Sequence, residues 1–189
     1  MNGRLGIWAA GLRRDWRRHL GSVALFVGVL LAVQWWQTRH VAGGPLPAAA
    51  LDAPLAVRDA AGTVRDSSLR AELAALQQTH PGHNVGLYVW AEWCPICKTI
   101  QGTVDGLTKD RPVITVAMQS GPPAAVGRYL QAQGLAWHTL VDPRSELSRS
   151  LGFAAVPAFA VITPQGELRH PTVGLTSGWG MRLRLWLAD

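Results

Sequence analysis

The chain has 189 residues, 48% of them apolar, a net charge of +6 and two cysteines. That length fits one ordinary domain of roughly 100 to 150 residues plus an appendage, and excludes two large domains. Residues 1–19 hold five arginines against Asp15, +4 of the total charge; the rest of the chain is nearly neutral, and no nucleic-acid partner is expected.

Residues 20–33, LGSVALFVGVLLAV, carry no charge and are closed by Trp35 and Trp36. Counted through Trp36, this run makes about 25 Å of helix, short but workable for a membrane crossing anchored by tryptophan and arginine at its ends. The expected organisation is a cytoplasmic basic tail over 1–19 and a single transmembrane signal anchor over 20–37. The arginine cluster puts the preceding residues in the cytoplasm and everything after Trp36 outside. A cleaved signal peptide competes, since the run also fits an h-region. The long basic stretch before it and the bulky Gln34-Trp35-Trp36-Gln37 at the cleavage position argue against that. Residues 38–53 are mostly small and dotted with proline, without periodicity, and are expected as a linker. The folded domain is then 54–189.

Within it, residues 55–58 and the Ala61-Gly62 turn predict a short strand and hairpin, and 67–78 predict a helix. VGLYVW at 85–90 is a continuous apolar run, as in a central parallel strand buried on both faces. Further expected elements are a helix over 94–107, a strand over 112–118, a helix over 123–134, a strand over 137–141 and a short helix over 145–152. Strands over 158–163 and 167–174 around Pro164-Gln165-Gly166 should form an antiparallel hairpin at one end of the sheet, before a final helix over 177–187. Alternating strands and helices indicate an α/β fold, a central mixed sheet flanked by helices. In the final helix Trp179, Leu183, Trp186 and Leu187 recur at helical spacing and are expected in the core rather than in a partner site; Arg182 and Arg184 are readable either as facing an acidic partner or anionic lipid or as a solvated face. His138 and His170 are expected on strand surfaces.

Both cysteines lie in CPIC at the carboxyl end of the 85–90 strand. Cys94 falls at the helix N-cap, Pro95 at the first helical position and Cys97 at the third. Proline suits that position because its missing N–H has no intrahelical partner there. The free N–H groups of the first turn and the helix dipole favour thiolate at the cap. The spacing puts both sulfurs on one side of the first turn, so they can form a redox-active disulfide, with Cys94 at the exposed tip as nucleophile and Cys97 as resolving thiol. A structural staple is a weak competitor, because so short a loop contributes only about 2 kcal/mol of chain entropy. A metal site with His80 and His83 would have to span the strand, roughly 15 to 20 Å. Copper(I) on the cysteines alone stays open as a reading from another class. Covalent haem attachment needs histidine after the second cysteine, where Lys98 stands.

WAEWCPICK at 90–98 resembles the WAxWCxxCK signature of the thioredoxin superfamily, and AAVPAF at 154–159 resembles its X-Pro element. More narrowly, the anchor, the CPxC centre and the ending GLTSGWGMRLRLWLA resemble the membrane-tethered, TlpA-like thioredoxin-like proteins of the bacterial suppressor-of-copper-sensitivity group. The resemblance implies a thioredoxin fold after one transmembrane helix, and a periplasmic thiol-disulfide oxidoreductase tethered to the inner membrane of a Gram-negative bacterium. It implies protein thiols or disulfides as substrates, a membrane protein as electron donor, a link to copper tolerance, and neither cofactor nor resident metal. The direction stays open between a reductase, including the cytochrome c maturation type, and an oxidase that donates its disulfide. Val156-Pro157 is implied to be a cis peptide beside the cysteines, with Trp93, Pro95, Ile96, Val156 and Pro157 forming the substrate surface. Thioredoxin proper has a buried aspartate, serving as a proton relay, six residues before its first cysteine. Tyr88 occupies that position here, leaving Glu92 as a candidate relay and Lys98 as a candidate thiolate stabiliser, both equally readable as solvated residues.

Overall fold

The computed structural model describes residues 4–41 and 43–188. Helix α1 (Arg4–Thr38) contains, among the described residues, one stretch long and apolar enough to cross a membrane, His19–Trp36. A second compact unit begins at Thr38. It opens with β1 (Gly44–Pro45), α2 (Ala48–Asp52), the hairpin of β2 (Leu55–Arg58) and β3 (Val64–Ser67), and α3 (Leu69–Thr79). The centre follows as β4 (Val85–Trp90), α4 (Pro95–Asp110), β5 (Val113–Met118), α5 (Pro123–Ala132), β6 (Thr139–Asp142) and α6 (Glu146–Ser150). The chain closes with β7 (Ala158–Ile162), β8 (Glu167–Val173) and α7 (Gly178–Leu187).

One mixed sheet runs β1-β8-β7-β4-β5-β6-β2-β3. Strands β4, β5 and β6 are parallel neighbours, and the other pairings are antiparallel. Every residue of β4 and β5 is buried, as a strand covered on both faces requires. The two-residue period of β4 sorts its side chains between two cores. Tyr88 and Trp90 join Cys97, Ile100, Val104 and Leu107 of α4, Val126 and Leu130 of α5, and Met181 and Leu185 of α7. Val85, Leu87 and Val89 join Ala50, Leu69, Leu147 and Leu151 on the other face.

Three expectations are corrected. Residues 38–53 are not an unstructured linker. Val41, Leu46 and Ala50 are buried, β1 pairs with β8, and α2 is helical. Small residues left this possible; the free edge of β8 decided it. In α7 the inward stripe is Met181, Leu185 and Ala188, whereas Trp179, Trp186 and Leu187 are more than half exposed. This helix is apolar on two faces about 200° apart, and Gly178 sits where a side chain would meet Thr103, so the slimmer face turns inward. His138 is not a plain surface residue: its Nε2 lies 2.8 Å from Oε2 of Glu72, an acid buried in α3. His170 is exposed.

Candidate active site

The carboxyl end of a central parallel strand is where open α/β sheets gather their ligands, and β4 ends there four residues before Cys94. Ala91 turns the chain, accepting the Cys94 N–H at 3.2 Å, and α4 starts with Pro95 at its first position. Cys94 is the N-cap, with extended backbone angles, and its Sγ accepts the Cys97 N–H at 3.2 Å. The sulfur thus takes the part that a serine or aspartate oxygen plays at other caps. Lys98 N–H in turn bonds the Cys94 carbonyl at 3.3 Å.

Both cysteines are free thiols, each only 4% exposed. The expectation of an exposed tip is therefore too simple for Cys94. Trp93 and Ile96 beside it are about half exposed, and the Cys94 thiol points at the Val156 carbonyl 3.8 Å away. Val156-Pro157 is a cis peptide, and Pro157 is buried at the start of β7. The structure brings together Trp93, Cys94, Pro95, Ile96, Cys97, Val156 and Pro157, drawn from two segments about sixty residues apart. Lys98 is exposed. Glu92 is half-buried, its N–H held by Ser120 Oγ at 3.1 Å.

Beneath the thiols lies an aromatic layer. Trp137 stands edge-on to Tyr88 at 5.9 Å and to Trp90 at 5.5 Å, and Trp90 lies 5.4 Å from Tyr129. Trp137 donates its indole N–H to Asp105 at 3.3 Å. Burial in this layer pushes the Cys97 thiol well above its ordinary range, and Cys94 adds to the rise. Burial also pushes the Tyr88 phenol up, with Cys97 as the next contributor. Tyr129 is raised as well, first by burial and then by the nearby thiols and the charge of Glu92.

The rim includes residues that motif reading passed over. Trp93 donates its indole N–H to Gln119 O at 3.0 Å. Gln119 has a left-handed backbone (φ 50°), its N–H bonded to Asp142 O at 2.9 Å and its side chain to Ser145 Oγ at 3.2 Å. Gln-Ser-Gly-Pro directly after a parallel strand was the available signal. Two thiols side by side at a helix N-terminus, one at the rim and one beneath it, can exchange with a disulfide, passing two electrons per cycle.

A family model described as Redoxin matches residues 43–177. A thioredoxin-like protein of Haemophilus influenzae is 31% identical over 118 residues, 62% of this chain and 68% of that protein. A thiol:disulfide interchange protein DsbE homolog of Paracoccus denitrificans is 33% identical over 86 residues, 45% of this chain and 48% of that one; the chain thus spans about half its length. Among solved structures, MTB dsbF, in mixed oxidized and reduced forms, superposes with a TM-score of 0.57 at 19% identity, over 76% of this chain and 99% of that one. The fold is the thioredoxin fold.

Proposed function

The chain belongs to the Redoxin family, and from that premise we propose that this thiol-disulfide oxidoreductase works as a protein-disulfide reductase on the periplasmic side of a bacterial inner membrane. One observation carries the reading: Cys94 caps α4 with its sulfur bonded to the Cys97 N–H and faces the Val156 carbonyl next to Pro157. Cys94 thiolate attacks a substrate disulfide, and its sulfur bonds one substrate sulfur while the other leaves as thiolate and takes a proton. Cys97, deprotonated, then attacks Cys94; the mixed disulfide breaks, reduced substrate leaves, and a Cys94–Cys97 disulfide remains. Trp93, Pro95, Ile96, Val156 and Pro157 form the surface on which an extended substrate segment lies, with the Val156 backbone offering strand-like pairing.

The reducing direction rests on the resemblance of the anchor and the CPxC centre to the membrane-tethered thioredoxin-like group. In an oxidising periplasm the disulfide must be reduced again, which calls for a membrane protein as electron donor. The apolar stretch His19–Trp36 supports an anchor, with its arginine-rich side in the cytoplasm. The link to copper tolerance rests on the resemblance of the anchor, the CPxC centre and the chain's ending to the suppressor-of-copper-sensitivity group.

Trapping tests the reading. Cys97→Ala in the native host should accumulate a mixed disulfide on Cys94, and its partner identifies the substrate. A wild-type pair isolated from cells mainly oxidised, with a strongly oxidising potential, would reverse the direction. Absence of any trapped protein would defeat dithiol exchange.

A further inference from the structure

Tyr88 stands on β4, two residues before Trp90, and faces the same core as Cys97. Its side chain is 1% exposed, and its fully enclosed hydroxyl meets no acceptor at hydrogen-bond geometry among the described residues, while standing close enough to the Cys97 thiol to act on it. Buried hydroxyls are almost always bonded, so an orphan one calls for a reason. The ring is fixed by its edge-on contact with Trp137, and the titratable groups acting on the phenol are Cys97 first, then Cys94 and Tyr129. A neutral thiol is a poor acceptor, which accounts for the lack of a well-formed hydrogen bond in the dithiol. A thiolate is a strong one.

We propose that Tyr88 is the hydrogen-bond donor to the Cys97 thiolate that forms when the mixed disulfide is resolved. The assignment rests on the dithiol mechanism above and names the group that assists its second step. Cys97 gives its proton to water, and its thiolate attacks Cys94 Sγ. The bond from Cys94 to the substrate sulfur breaks, that sulfur leaves with the electron pair and takes a proton from solvent, and the Cys94–Cys97 bond forms. Tyr88 keeps its own proton throughout, because burial raises its phenol. It acts by differential stabilisation, bonding the charged sulfur more strongly than the resting thiol. The opposing influences on Cys97 agree: burial and Cys94 raise the thiol, and Tyr88 lowers it. A phenol at this position has no carboxylate to titrate, so resolution should rise with pH through one group, Cys97.

The experiment compares full-length wild type, Tyr88→Phe and Cys97→Ala in detergent, each reduced and then mixed with the chromogenic aromatic disulfide 5,5′-dithiobis(2-nitrobenzoate). Attack by Cys94 releases one equivalent of coloured thiolate, and resolution by Cys97 releases the second. Tyr88→Phe should leave the first phase within about twofold. Losing a charge-assisted hydrogen bond should raise the pH midpoint of the second phase by about 1 to 2 units. The rate near neutral pH should fall about 3- to 10-fold, since each tenfold loss of thiolate is partly offset by a more nucleophilic sulfur. The thiolate absorbance of Cys97, titrated in a Cys94→Ala background with and without Tyr88→Phe, should show the same displacement without any turnover. A second phase and a Cys97 titration both unchanged by Tyr88→Phe would overturn the proposal and leave Tyr88 a packing residue. Failure of wild type to release two equivalents, or a second phase that survives Cys97→Ala, would instead defeat the dithiol mechanism itself.

Discussion

Cys94 and Cys97 are joined by a backbone hydrogen bond before any disulfide joins them: the Cys97 N–H donates to Cys94 Sγ at 3.2 Å. The nucleophile is therefore also the N-cap of the helix that carries its partner. Cys94→Ala should abolish exchange and cost about 1 kcal/mol through the lost cap, whereas Cys94→Ser should abolish exchange yet keep the cap. Exchange assays with denaturant unfolding of the two variants separate the roles; equal stability of Ala and Ser variants would contradict the cap.

The raised Cys97 thiol has a consequence for stability. In the unfolded chain the thiol releases its proton near pH 8.5, while in the folded protein it holds it to higher pH. The unfolded state then binds fewer protons above that pH, so the stability of the reduced protein should decline as pH rises beyond about 8.5. The oxidised protein has no such thiol and should lack this decline between about pH 8.5 and 10, above which the raised phenols of Tyr88 and Tyr129 weaken both forms. Thermal melts of both forms from neutral to alkaline pH test the difference.

Glu72 shows the opposite sign. Burial alone would raise its carboxyl, but hydrogen bonds from Arg65 and Ser67 and the neighbouring His138 hold it below the usual value. Its contribution is complete above the unfolded carboxyl's pKa and is lost as pH falls through the lower folded value. Glu72→Ala should destabilise by about 2 kcal/mol at neutral pH, leaving Arg65 and His138 without their acceptor. The deficit should shrink on acidification, read from urea midpoints at several pH values.

Gly152 has φ +86°, and a Cβ there would collide with His40 O and lie 2.7 Å from Val41 Cα. Gly152→Ala should therefore destabilise by more than about 1 kcal/mol and loosen the segment that leads into β1. Faster protease cleavage between residues 38 and 47, with the Cys94 site still reactive, is the expected result.

The two faces of α7 give a direct contrast. Met181→Ala should cost about 2 to 5 kcal/mol, since Met181 is fully buried. Trp186→Ser should change stability by no more than about 0.5 kcal/mol, its side chain being 69% exposed. Equal losses would put both faces in the core.

Much of this molecule is readable along the chain because its signals are local. The apolar run of β4 meets CPIC with a proline at the first helical position, and these alone place two thiols on one turn at a strand's carboxyl end. Helix caps at Ser68 and Ser177 and the turn at Pro164-Gln165-Gly166 are local in the same sense. Other features depend on partners remote in sequence. Gln119 becomes part of the rim only because Asp142 and Ser145 hold its backbone and side chain. Glu72 and His138 meet across 66 positions, and Val41, Leu46 and Ala50 are buried only because β8 has a free edge and a core behind it.

The sequence by itself determined where the thiols lie and that they form a CxxC pair, because backbone periodicity and capping act within one helical turn. Tertiary structure alone decided which face of α7 turns inward, that Cys94 is sheltered beneath Val156, and that the Tyr88 hydroxyl is enclosed beside the Cys97 thiol. Those outcomes depend on which surfaces meet across the sheet, and packing complementarity between distant segments leaves no periodic trace in either one.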